Sequence, residues 1–170
     1  MRESELILDR IGFPPFSSKH CQQTLIPIMN GELRRTVNGQ LIYTGTDQHH
    51  KFQSVIQGQD KVCPSFEGVW RGSLIKVGCI QRLSQQTRNT REIFLQRDPV
   101  EDSVVVIDKK SQEKEILLVD GRHITLKEID NNEEYYIFYR PYLLMCVISY
   151  KLLTNEWGTS GGWQLDLEEV

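Results

Sequence analysis

Apolar and polar positions alternate along much of the chain, most cleanly near its end. Trp163, Leu165 and Leu167 alternate with Gln164, Asp166 and Glu168, which predicts a strand with one buried face and one acidic face. Glu134–Arg140 is equally β-prone, with Tyr135, Ile137 and Tyr139 on one face and Tyr136 and Phe138 on the other. Tyr142–Leu153 is apolar on both faces, as a central strand covered on two sides would be. Periodicity alone leaves a buried helix open as the alternative there. Leu74–Ile80 sets Ile75, Val77 and Cys79 on one side, and Lys51–Gln57 opposes Phe52 and Ile56 to Gln53 and Gln57.

Shorter segments fill the intervals. Gln23–Ile28 reads as a strand in which Pro27 marks an edge or an end. Asn30-Gly31 and Asn38-Gly39 favour the positive φ angles of type I′ turns, and Leu33–Val37 and Gln40–Thr44 flank the second pair. An antiparallel meander over 23–44 is the resulting expectation. Glu92–Leu95 and Ser103–Ile107 follow, and then Glu115–Val119 and His123–Leu126, joined by Asp120-Gly121 as a further hairpin. Gln81–Thr90 is the one internal stretch with reasonable helix composition, and it lacks an apolar stripe. In the first twenty residues Ile7 and Leu8 are apolar, but Gly12, Pro14 and Pro15 interrupt, so residues 1–22 read as an arm or an irregular entry. Ten or eleven short strands separated by turn signals predict a single all-β (mainly β) domain over 1–170, an antiparallel sandwich or barrel with hairpins and little helix.

Composition strengthens that expectation. Alanine, the best helix former, is absent, while Val and Ile together number 27. The longest strongly apolar run, Tyr142 to Ile148, is far short of the roughly 18 residues of a membrane helix, so no membrane insertion is expected. Charges already stand at Arg2, Glu3, Glu5, Asp9 and Arg10, which is unlike a signal peptide and predicts synthesis in the cytosol. Cys21, Cys63, Cys79 and Cys146 are widely spaced, without a CxxC pair, and are expected as buried reduced thiols, with a disulfide as the alternative after release from the cell. Residues 1–85 hold ten Lys/Arg against seven Asp/Glu, whereas 86–170 hold ten against sixteen. Faces of opposite sign suit stacking against different neighbours, and an acidic total without a basic stripe argues against nucleic acid as the main partner.

Catalytic chemistry finds little support. His49 and His50 are adjacent and would point to opposite faces of a strand, so a metal site would need Cys63, Cys79 or His20 folded nearby. There is no GxSxG, no HExxH and no phosphate-binding glycine loop, since Gly158, Gly161 and Gly162 match neither a P-loop nor a dinucleotide fingerprint. The 23 acidic residues give a glycosidase pair no specificity. No enzyme activity, catalytic residue, metal or cofactor is therefore expected. Three other segments stand out. Arg34 and Arg35 precede the Asn38-Gly39 turn and suit a charged contact with a neighbouring subunit. Arg140-Pro141 separates two hydrophobic segments, where the guanidinium can hold a carboxylate bidentately. The tail Trp163–Val170 carries Glu168 and Glu169 inside a strand pattern, which ties it into a sheet, its own or an adjacent copy's.

Those segments carry a resemblance. The run Gln23-Thr24-Leu25 followed by Leu33-Arg34-Arg35-Thr36-Val37-Asn38-Gly39 resembles the opening of a family of small virion proteins of long-tailed bacteriophages. The likeness continues in Lys51-Phe52-Gln53-Ser54, in Pro64-Ser65-Phe66-Glu67-Gly68-Val69-Trp70-Arg71-Gly72 and in Val77-Gly78-Cys79-Ile80. It closes with Tyr139-Arg140-Pro141-Tyr142-Leu143-Leu144-Met145, with Glu156-Trp157-Gly158, and with Gly162-Trp163 through Glu168-Glu169-Val170. It spans about 23–83 and 136–170 and leaves 84–135 unmatched, as an insertion or subdomain. What it implies is a structural protein of the tail tip or baseplate, built into rings of three- or six-fold symmetry and linking the tail tube to the distal tip. Its partners would be copies of itself and neighbouring tail proteins. The protein would be made in the host cytoplasm and reside in the virion tail. Arg34, Arg35, Asn38, Gly39, Arg140, Pro141 and Trp163 match the pattern as fold or interface positions, and Trp70, Glu168 and Glu169 join them as interface candidates. A head–tail connector or tail terminator is the alternative at the other end of the tail. A tail-associated carbohydrate-binding module or enzyme is the alternative of another class, with Trp70, Trp157 and Trp163 as the residues to inspect.

Overall fold

The fold is that of a computed structural model, which describes residues 4–29, 31–46, 50–88, 90–128, 134–158 and 160–170. It is all-β. The described residues contain fourteen strands and no helix, in antiparallel sheets that include a curled half-barrel. In chain order they are β1 (Ile7–Leu8), β2 (Gln22–Pro27), β3 (Leu33–Arg35), β4 (Leu41–Tyr43), β5 (Phe52–Asp60), β6 (Leu74–Gly78) and β7 (Leu83–Arg88). There follow β8 (Glu92–Phe94), β9 (Val105–Asp108), β10 (Ile116–Asp120), β11 (His123–Leu126), β12 (Glu134–Tyr139), β13 (Tyr142–Thr154) and β14 (Gly161–Glu169). The largest sheet has six strands in the order β1-β6-β13-β14-β5-β2.

The alternation seen in the sequence becomes the two faces of that sheet. Trp163, Leu165 and Leu167 of β14 turn inward beside Ile56 of β5, Leu143, Met145 and Val147 of β13, and Ile75 and Val77 of β6. Each fully buried aliphatic side chain contributes about 1.5–3 kcal/mol relative to its exposed state. Leu6, Leu8 and Ile11 of the N-terminal segment are buried in the same core, and β1 pairs with β6. The aromatic centre is a stack of Phe66 on Tyr150, 4.8 Å between ring centroids, with Trp163 tilted against Phe66 and Phe13. Gly58 faces this indole, and a Cβ there would stand 2.6 Å from Nε1, so only glycine fits between β5 and the ring.

A second core gathers residues from two three-stranded sheets, β10-β11-β8 and β7-β12-β9. Ile93, Ile124 and Leu126 come from the first sheet, and Val106, Tyr135, Ile137 and Tyr139 from the second. Asp108, 3% exposed at the end of β9, accepts hydrogen bonds from the Lys110 and Gln112 amides at 2.8 and 2.9 Å and faces Lys114 Nζ at 3.5 Å. Those bonds, the Gln112 amide foremost, hold its carboxyl below the usual 3.8. Arg97 ties the two cores together. Its guanidinium makes a two-pronged bridge to Glu169 at 3.0 Å on both prongs, donates to the His50 carbonyl at 2.8 Å and lies over the Phe52 ring.

Several expectations need correction. Gln81–Thr90 is not a helix: β7 runs through it and pairs along its whole length with β12, its side chains alternating between half-buried and exposed, because the ladder to β12 supplies the backbone bonds that a helix without an apolar stripe would have to make alone. The meander over 23–44 does not form. β2 pairs with β5, from Gln22↔Gln57 to Pro27↔Phe52, and β3 with β4 makes a separate two-stranded sheet. The turn at Asn38-Gly39 is not type I′, which needs positive φ at both central residues. Gly39 has φ +81° but Asn38 does not, and Thr36 pairs with Gln40 around a three-residue loop whose glycine supplies the left-handed position. β13 is central, yet only one of its faces is covered: Leu144 is 51% and Leu153 67% exposed. Asn30, of the first Asn-Gly pair, and His49, of the adjacent histidines, lie outside the described residues.

Candidate assembly surface

The excursion between β2 and β5 is the most conspicuous surface feature. The chain leaves the large sheet at Pro27, builds the β3–β4 hairpin, and returns at Phe52, the residue paired with Pro27. All six hairpin strand residues are exposed, Leu33 at 67%, Leu41 at 52% and Tyr43 at 47% among them. An isolated two-stranded hairpin is marginally stable in water. This one is held by local polar contacts. Arg34 bridges Glu32 at 2.7 Å, Arg35 donates to the Gly39 carbonyl at 2.9 Å, and the Glu32 amide donates to the Thr44 hydroxyl at 3.0 Å. Arg34, Arg35, Asn38 and Gly39 therefore sit together on one protruding element. Its apolar side chains have no core to enter.

The other interface candidates are dispersed. Trp70 is exposed at the end of the loop that leads into β6, where the Gly72 amide and the Ser73 carbonyl bond Val147 of β13. Glu168 is exposed on β14, between Gln53 and Cys146. Glu169 is engaged within the chain by Arg97 and accepts the Phe52 amide at 2.8 Å. Arg140 is 8% exposed and anchors the N-terminal segment: one guanidinium nitrogen donates to the Glu5 carbonyl at 2.8 Å and meets its carboxylate at 3.2 Å, while its amide bonds Ser103 Oγ. Trp163 is in the core at 2% exposure, and its Nε1 has no hydrogen-bond partner among the described residues. Of the three tryptophans, Trp70 and Trp157 are on the surface. The terminal strand lies in the chain's own sheet, between β13 and β5.

Sequence reasoning missed the apolar content of these surfaces. Ile42 and Tyr43 on β4, and Leu117, Leu118 and Val119 on the β10 edge, are exposed, as is Phe94 of β8. Apolar residues on both faces of a short strand look identical in sequence whether a neighbouring layer or a neighbouring molecule covers them. The outer face of the large sheet is mixed, with a polar row beside the exposed Leu144 and Leu153 of β13. Gln22, Gln57, Gln164 and Lys151 line up across β2, β5, β14 and β13 over a groove of about 660 Å³, and the Gln57 amide donates to Gln22 at 3.2 Å. No group of three or more His, Cys, Asp or Glu able to hold a metal occurs among the described residues. Burial pushes the Cys79 thiol up to about 11.

The arrangement defines an all-β protein of antiparallel sheets with a protruding apolar hairpin. No known family model matches the chain, and no curated protein matches it.

Proposed function

We propose that this protein is a structural assembly subunit. It works by docking copies of itself and neighbouring proteins, without chemistry of its own. The observation that carries this reading is the β3–β4 hairpin, whose strand residues all lie exposed and whose apolar side chains meet no core. Monomers seldom leave such an element uncovered, since exposed apolar surface grouped in one place marks an interaction site. At its rim Arg35, bonded among the described residues only to a carbonyl, adds positive charge and the Arg34–Glu32 pair adds a dipole, and charge there governs approach and partner choice. With the sequence resemblance, the setting we propose is the tail of a long-tailed bacteriophage, in a tail-tip or baseplate ring of three- or six-fold symmetry. Neighbouring tail proteins would be the further partners.

The test is a paired substitution on the hairpin. Ile42→Asp with Tyr43→Asp replaces two exposed apolar side chains, so the thermal midpoint should stay within a few degrees of wild type. Self-association measured by light scattering should weaken at least tenfold (about 1.4 kcal/mol). A double variant that associates as wild type does would refute the role given to the hairpin.

A further inference from the structure

The large sheet ends on one side in the two-residue β1, and two longer edges lie open among the described residues, at opposite ends of one four-stranded stretch. β2 pairs with β5 on one side only, and no described residue pairs with its other side. β13 pairs with β6 only from Tyr142 to Cys146, and Val147 is the last residue bonded on that side, to Gly72 and Ser73. Residues 149–154 of β13 pair with β14 on one side, and no described residue pairs with the other. Sheet edges in free-standing proteins are normally blunted by charge, proline or a bulge. β2 carries no charge, with Pro27 only at its end, and 149–154 carries a single Lys151, beyond the β-bulge that precedes Ser149. Each open edge is about six residues long.

We propose that copies of this chain join head to tail, β2 of one copy pairing with residues 149–154 of the next, so that the sheet runs on across the boundary. This deepens the assembly reading above and rests on it. Strand direction permits the joint. Three antiparallel steps, β13 to β14 to β5 to β2, leave β2 antiparallel to β13, so a second copy in the same orientation presents β13 antiparallel to β2. Inward and outward faces stay continuous when Leu25 lies beside Tyr150 and Thr24 beside Lys151 of the next copy. In that register Gln23 meets Leu152, whose side chain is 48% exposed in the single chain, and Pro27 falls outside the ladder.

Charge and coverage choose this joint over the symmetric ones. Pairing 149–154 with itself about a two-fold axis sets Lys151 directly against or diagonal to its own copy, and like charges facing across a ladder are destabilising. Pairing β2 with itself leaves the β13 edge open. Only the head-to-tail joint covers both edges, and such a contact between identical subunits closes into a ring or extends into a filament. The β3–β4 hairpin leaves from the end of β2, so it stands at the same boundary and adds apolar contact to a joint too small by itself for a stable interface.

Amide hydrogen exchange on the wild-type protein, compared between dilute monomer and concentrated assembly, reads this without any substitution. Exchange in peptides covering 22–27 and 149–154 should slow together, at least about tenfold, on assembly. Assembly with slowing confined to the hairpin 33–43, or to one of the two edges, would overturn the joint and leave the assembly reading standing. A protein that stays monomeric at every concentration would overturn both.

Discussion

At the scale of single residues, Gly58 shows how one position fixes the core. It pairs with Trp163 across β5 and β14, and the indole occupies the space a side chain would need. Gly58→Ala puts a methyl 2.6–2.9 Å from three atoms of a rigid ring packed between Phe13 and Phe66. The expected cost is about 1–3 kcal/mol in a urea denaturation series, and an unchanged midpoint would contradict the packing described. The sequence showed the buried face of Trp163 plainly. It gave no sign that Gly58 is its counterpart, because a glycine in an alternating strand carries no pattern of its own. Arg140 and Glu169 were legible as positions of interest, yet their partners, Glu5 and Arg97, are 135 and 72 residues away along the chain. Spacing cannot reveal such pairs.

At the scale of elements, strands with an apolar face of their own were readable and a strand without one was not. β12 and β14 alternate as their sequences predict, because each has one apolar face to bury. β7 escaped notice because its residues other than Leu83 are Ser, Gln, Thr and Arg, and its strand state comes from pairing with β12, not from its own propensity. The hairpin between β2 and β5 was legible as strands and turn, but its separation from the sheet was not. That separation depends on the later strand β5 taking the place beside β2. The turn at the end of β9 carries a pH prediction. The folded-state pKa of Asp108 is depressed, so its contribution to stability is complete above the unfolded value, about 3.9, and is lost as pH falls through the folded value. The stability difference between wild type and Asp108→Asn, measured by denaturant titration, should be constant near pH 6 and shrink below about pH 4. A difference that persisted unchanged at pH 2 would contradict the hydrogen-bonded carboxylate.

At the scale of the whole molecule, two cores joined by Arg97–Glu169 leave apolar side chains exposed on the β3–β4 hairpin, on the β10 edge and on the outer face of β13, where Leu144 and Leu153 stand beside a polar row of glutamines and Lys151. The absence of alanine agrees with a fold made of strands and turns. The central claim is that this chain assembles with itself, and sedimentation of the purified wild-type protein over a wide concentration range tests it most directly. The account predicts a discrete assembly of ring stoichiometry, three or six copies, growing at the expense of monomer as concentration rises. A single species of 19.8 kDa at the highest concentration reached would contradict it.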